Sequence, residues 1–130
     1  MLKRRAATTR FILHGLDDSL SAQLQHAAGK AGHSFYSAKS TAECVAMAER
    51  LRPGVIFCSA EASRYLNVID AFRRKGLGVP VVVVSRLPEI SQWLDALEAG
   101  AADYCAAPFE HPQISWTIQT AMLTAQAAHA

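Results

Sequence analysis

An α/β fold is what this sequence predicts: a doubly wound five-stranded parallel sheet with helices on both faces. Three observations carry it. Short apolar runs such as Phe11–Leu13, Val55–Phe57 and Val81–Val84 are continuous rather than alternating, the mark of strands covered on both sides. Between them lie segments whose apolar residues recur every three to four positions, which is helical spacing. The two kinds of segment alternate along the whole chain with short breaks, and helical crossovers between parallel strands satisfy that order.

The first strand is Arg10 to His14 (RFILH). Asp17 or Asp18 then caps a helix to about Ala31 by accepting its free N–H groups. Leu16, Leu20, Leu24 and Ala27 or Ala28 recur along it, and Gly32 can close it in the left-handed conformation. Residues 33 to 38 form a weaker strand around Phe35. Ser40 opens the capping box S-T-A-E, in which Glu43 reaches back to the cap, and Val45, Met47, Ala48 and Leu51 carry that helix to Pro53. Gly54 to Cys58 is a buried strand, followed by a polar loop and a helix around Val68 to Lys75, where Arg73, Arg74 and Lys75 complement the terminal carbonyls. Val79 to Ser85 is the strongest strand signal. Pro88 opens a helix through Ala99 with Ile90, Leu94 and Leu97 inward and Trp93 flanking the core. Ala102 to Ala106 is the last strand, and Pro112 opens the final helix to about Ala125.

At 130 residues and 51% hydrophobic content the chain can bury one core but not two. A single domain over 10–130 is expected, preceded by a basic flexible arm over 1–9. Lys3, Arg4, Arg5 and Arg10 face no acid in the first ten residues, which leaves the remainder slightly acidic. Four terminal charges read as a solubilising lead-in, so nucleic-acid contact is expected only through an output domain beyond Ala130. No apolar run is long enough to cross a membrane, and no membrane partner is expected. The start lacks the basic-then-apolar pattern of a secretory signal, so a cytoplasmic location is expected. Cys44, Cys58 and Cys105 lack C-x-x-C spacing and read as reduced thiols.

Doubly wound sheets place their site at the carboxyl ends of the strands, here just after His14, Cys58, Ser85 and Cys105. Pro53 before the third strand, P-V-V-V-V-S at the fourth and A-G-A-A-D-Y-C-A-A-P-F over Ala99 to Phe109 stand in the order found in response-regulator receiver domains. Over about residues 10 to 126 the chain resembles that CheY-like family. The resemblance implies transfer of a phosphoryl group from a histidine kinase to an aspartate. Magnesium held by an acidic pair and a lysine would neutralise the charge, and a hydroxyl and an aromatic residue would sense it.

Most of the matching positions carry other residues. The acidic pair falls on Gly15 and Leu16, the phosphoacceptor on Ser59 and the lysine on Ala107. Ser85 and Tyr104 keep the switch positions, while Ser63 and Asn67 stand where the family has proline and glycine. Gly15, Leu16, Ser59 and Ala107 together would line a neutral pocket that disfavours a divalent metal. Asp17 and Asp18 are helix caps before they are cation ligands. No metal and no cofactor is expected, and a degenerate, phosphorylation-independent receiver follows. The alternative is a conventional phosphoreceiver with an atypical acceptor site.

An enzyme would need His14 to approach Cys58 or Ser59, with Glu61 nearby, yet no nucleophile elbow accompanies them. The five histidines lack metal-ligand spacing, and a single glycine after the first strand excludes a dinucleotide fingerprint. Protein contact is the remaining class. On the last helix Ile114, Ile118, Ala121 and Ala125 form the inward stripe, and Trp116 and Leu123 share the outer side. Trp and Leu on an outer face suit a protein partner or a homodimer through this helix and its neighbour.

Overall fold

The structure, a computed structural model, describes residues 9–29 and 32–128, with side chains to Ala125. Its elements run β1 (Thr9–His14), α1 (Asp18–Ala28), β2 (His33–Ala38), α2 (Thr41–Leu51), β3 (Val55–Ser59), α3 (Ala62–Lys75), β4 (Val81–Ser85), α4 (Ile90–Ala99), β5 (Asp103–Ala106) and α5 (His111–Ala128). The five strands form one sheet in the order β2-β1-β3-β4-β5, and every pairing is parallel. This is the predicted fold class.

Alternation along the central strands divides the core into two layers. Ile12, Ile56, Val81 and Val83 face α2, α3 and α4, where Met47, Val68, Ile69, Phe72 and Ala96 cover them. Phe11, Leu13, Val55, Phe57, Val82 and Val84 face α1 and α5, under Leu20, Leu24, Ile114, Ile118 and Ala121. The stripe of α5 is inward as read, with Trp116 and Leu123 exposed outside it.

Some boundaries move. Thr9, assigned to the arm, begins β1 opposite His33, while residues 1–8 lie outside those described. Helix α1 ends at Ala28, and Gly29 rather than Gly32 caps it; Ala31 and Ala130 lie outside the described residues. Asp17 is the N-cap, accepting from the Leu20 N–H at 2.8 Å, and Asp18 is the first helical residue, so Leu16 falls outside the helix. The Ser40 cap accepts from the Glu43 N–H at 3.1 Å. Helix α3 begins at Ala62, six residues before the sequence reading placed it.

The largest correction concerns α4. Ile90, Leu94 and Leu97, expected inward, are 73%, 51% and 37% exposed, and Trp93 is 44% exposed. Ala96 is the buried residue of this helix. The apolar stripe therefore points to solvent, because the sheet beneath is already filled by the β-branched side chains of β4 and needs only a methyl group from α4.

Candidate functional site

The carboxyl ends of β1, β3 and β4 border a cleft of about 360 Å³ lined by Gly15, Asp17, Ser59, Glu61, Ser85 and Arg86. Ser59 ends β3 on the face shared with Phe57, and its hydroxyl is buried with no hydrogen-bond partner. Gly15 sits beside it at φ 79°, a conformation that favours glycine. A Cβ on Gly15 would lie 2.7 Å from Ser59 Oγ, 2.8 Å from Arg64 Cδ and 3.1 Å from Arg64 Nη1. The Arg64 side chain, from the first turn of α3, thus crosses over Gly15 and Ser59.

Two ion pairs frame the cleft. Arg64 Nε donates to Glu61 Oε2 at 2.8 Å, and Arg86 Nη2 donates to Asp17 Oδ2. The second joins the loop after β1 to the loop after β4 across 69 positions of sequence. Asp17 thereby caps α1 with one oxygen and holds a guanidinium with the other. Sequence reasoning missed both arginines. Arg86 follows the strand-end Ser85 and was discoverable by position; Arg64 was hidden by the missed start of α3.

Ser85 and Tyr104, the residues expected from the resemblance to stand at switch positions, are joined through one backbone group. Ser85 Oγ donates to the Leu87 carbonyl at 2.9 Å and lies 3.2 Å from the Leu87 N–H. The Tyr104 hydroxyl is 3.2 Å from the same carbonyl and from Gln92 Oε1. Leu16 and Ala107 do not line the cleft of Ser59 and pack against the core layer of α1 and α5. The expected neutral pocket of Gly15, Leu16, Ser59 and Ala107 is therefore corrected: Gly15 and Ser59 meet, and guanidinium and carboxylate groups surround them. Ala107 and Tyr104 instead line a second cleft of about 380 Å³ with Pro88, Ile90, Trp93 and Gln113.

The donors do not fit a magnesium ion, which takes oxygen ligands in a near-octahedral shell. Asp17 and Glu61 are each engaged by a guanidinium, and Gly15, Leu16 and Ser59 bring no carboxylate. Among the described residues no three His, Cys, Asp or Glu side chains gather as metal ligands.

The nucleophile and base considered from sequence also stay apart. His14 projects on the face of Ile12 and donates from Nδ1 to the Ala38 carbonyl at 2.8 Å, whereas Ser59 projects on the opposite face. Cys58 shares the His14 face, but burial pushes its thiol up to about 12. Burial does the same to Cys44 and Cys105, so all three are held as thiols rather than the reactive thiolate.

No family model and no curated protein matches the chain. The class that its architecture defines is nonetheless specific: the chain has the fold of response-regulator receiver domains. It is similar to NtrX from Brucella abortus, solved with ATP, at TM-score 0.78 and 17% identity, covering 94% of this chain and 28% of that one. It thus spans little more than a quarter of NtrX. It also resembles the chemotaxis response regulator CheY4 of Vibrio cholerae (TM-score 0.69, 17% identity, 87% and 98% of the two chains). A beryllofluoride-activated NtrC4 receiver domain, solved as a dimer, matches at TM-score 0.73 and 19% identity over 89% and 98%. No helix among the described residues is long and apolar enough to cross a membrane.

Proposed function

We propose that this chain is a signalling module of receiver type that acts by protein contact and does not depend on an aspartyl phosphate. The observation that carries the proposal is the outward stripe of α4. Ile90, Trp93, Leu94 and Leu97 stand at i, i+3, i+4 and i+7, the spacing with which a helix buries one face, and all four are exposed. Leu87 continues the patch at its start. Contiguous apolar surface of this kind marks a partner site.

On α5, Trp116 and Leu123 are 69% and 66% exposed and extend the apolar character to the second helix of the same edge. The cleft lined by Ile90, Trp93, Tyr104 and Gln113 bridges the two helices over β5. A homodimer or a protein partner covering this edge is the reading favoured here, and the dimeric NtrC4 receiver domain is a precedent in another protein. Ser59 in place of a carboxylate, with Arg64 laid across it, supports independence from phosphotransfer, because an acyl-linked phosphate needs a carboxylate nucleophile.

Light scattering tests the surface. The native chain should have a dimer's mass, or bind its partner, and Trp116→Ala with Leu123→Ala should weaken that association, as should Ile90→Ser with Leu94→Ser. Unchanged mass and partner binding in both variants refutes the assignment. Incubation with Mg²⁺ and a small phosphodonor should leave the mass unaltered. A gain of one phosphoryl group that hydroxylamine removes would instead establish a conventional phosphoreceiver with an atypical acceptor site.

A further inference from the structure

We infer that the open edge of β2 is an association surface, on which a second copy of this chain adds its own β2 antiparallel, so that one sheet runs through both copies. β2 is an outermost strand of the sheet, and among the described residues no strand lies beyond it. Its backbone directions follow from one hydrogen bond. The Thr9 N–H donates to the Gly32 carbonyl at 2.7 Å, and Thr9 is the register partner of His33. In a parallel ladder alternate residues turn their backbone groups to alternate sides, so Ser34 and Tyr36 face β1 while His33, Phe35 and Ser37 turn theirs outward. Among the described residues no turn, loop or cap hydrogen bond engages those outward groups.

Such edges are ordinarily blunted by proline, charge, a bulge or a very short strand. β2 has none of these, being the uncharged H-S-F-Y-S-A, six residues long and in unbroken register with β1. The opposite edge is protected. β5 has four residues and begins on Asp103, whose Oδ1 accepts the Tyr104 N–H at 2.7 Å.

A second copy is the occupant that this edge fits. Each outward residue offers one donor and one acceptor, and such a row is self-complementary when two strands run antiparallel about Phe35. Phe35 exchanges hydrogen bonds with Phe35 of the second copy, His33 with Ser37 and Ser37 with His33, so every outward group is paired. Phe35 is stacked on Phe11 with ring centroids 5.2 Å apart, and a cleft of about 580 Å³ beside it is lined by Ala22, Gln25, His26, Gly29, His33 and Phe35. Phe35 of the second copy arrives at this cleft, forming an aromatic pair across the two strands. On the other face Ser34 stands opposite Tyr36, small against large, and no charge opposes its like within the paired strands. The inference does not rest on the reading of the α4 and α5 surface.

A seam one strand long buries little area, so a dissociation constant of about 10 µM to 1 mM is expected. Amide hydrogen exchange followed by NMR, with mass from sedimentation at the same concentrations, is the test. Exchange at His33, Phe35 and Ser37 should slow as protein concentration rises and dimer appears. Ser37→Pro removes an outward donor but no bond to β1, and should weaken association about tenfold or more with native circular dichroism. Ser37→Lys keeps the N–H, places a charge on the edge, and should also weaken it. Trp116→Ala with Leu123→Ala should leave the protection of the three amides intact. Exchange that is independent of concentration overturns the inference, as does a dimer unaffected by both Ser37 variants. A dimer whose three amides exchange freely also overturns it and assigns association to α4 and α5. Protection that appears only when a different protein is added overturns the second copy as occupant.

Discussion

Replacing Gly15 by alanine probes the site at its tightest point, and the structure sets the size of the effect. At φ 79° an alanine is strained by about 1–2 kcal/mol, partly offset by about 0.4–1 kcal/mol because alanine also restricts the unfolded chain. Its Cβ would lie 2.7 Å from Ser59 Oγ and 2.8 Å from Arg64 Cδ. Arg64 is half exposed and can move, whereas Ser59 is enclosed, so the steric cost falls on Ser59, at about 1–3 kcal/mol for an overpacked site. The net loss is then about 1–5 kcal/mol, readable from urea unfolding followed by far-ultraviolet circular dichroism with an unchanged slope. Ser59→Ala alone should be neutral or slightly stabilising, since it removes a buried hydroxyl with no partner. Combined with Gly15→Ala, it should recover about 1 kcal/mol or more as a coupling energy. A loss below about 0.5 kcal/mol for Gly15→Ala, within the range of ordinary surface changes, or strict additivity in the double variant, refutes the close approach. The same geometry means that an aspartate introduced at position 15 alone carries the same penalty, so no carboxylate can be placed there by one neutral substitution.

Asp17→Ala should cost about 1 kcal/mol, because it removes the side-chain acceptor at the start of α1. Asp17→Asn should lose only the ion pair with Arg86, an exposed pair worth about 0–1 kcal/mol; thermal unfolding compares the two, and equal losses would show that the cap is not the dominant contribution. The three buried thiols should react with a thiol reagent only slowly at neutral pH and promptly in denaturant; prompt labelling of the native chain would refute their burial. Their folded values of about 12 lie above the ordinary 9.0, so between those limits the unfolded chain releases protons that the folded chain retains. Their contribution is complete below about pH 9 and is lost as pH rises toward 12, so chemical unfolding across that range should show falling stability, less steeply in Cys58→Ala.

Strand positions were legible because continuous β-branched runs leave little choice: the four valines of β4 are buried on both faces as read. The start of α3 was not read, although Tyr65, Val68, Ile69 and Phe72 repeat at helical spacing and all are buried. No capping residue marks that start, and the polar Ala60–Arg64 stretch resembles a loop. Helix α4 was legible as an element and misread in orientation. Periodicity identifies an apolar stripe but not what it faces, and here the small Ala96 fills the inward position. Which residues end the strands was legible from the prolines and the apolar runs. Their assembly was not, since Arg86 and Asp17 are distant in sequence and Arg64 enters from a helix whose start was missed. That is why a pocket expected to be neutral is lined by two ion pairs.

The short loop leaving β4 has one further consequence. Arg86 bridges to the loop after β1, while the next residue, Leu87, is gripped through its backbone by Ser85 and Tyr104 immediately ahead of α4. Two neighbouring residues thus tie the loop after β1 to the start of the helix that carries the exposed apolar stripe. Any strain passed between them obeys thermodynamic reciprocity: by whatever factor a protein seated on α4 favours the Arg86–Asp17 pairing, that pairing favours the protein's binding equally.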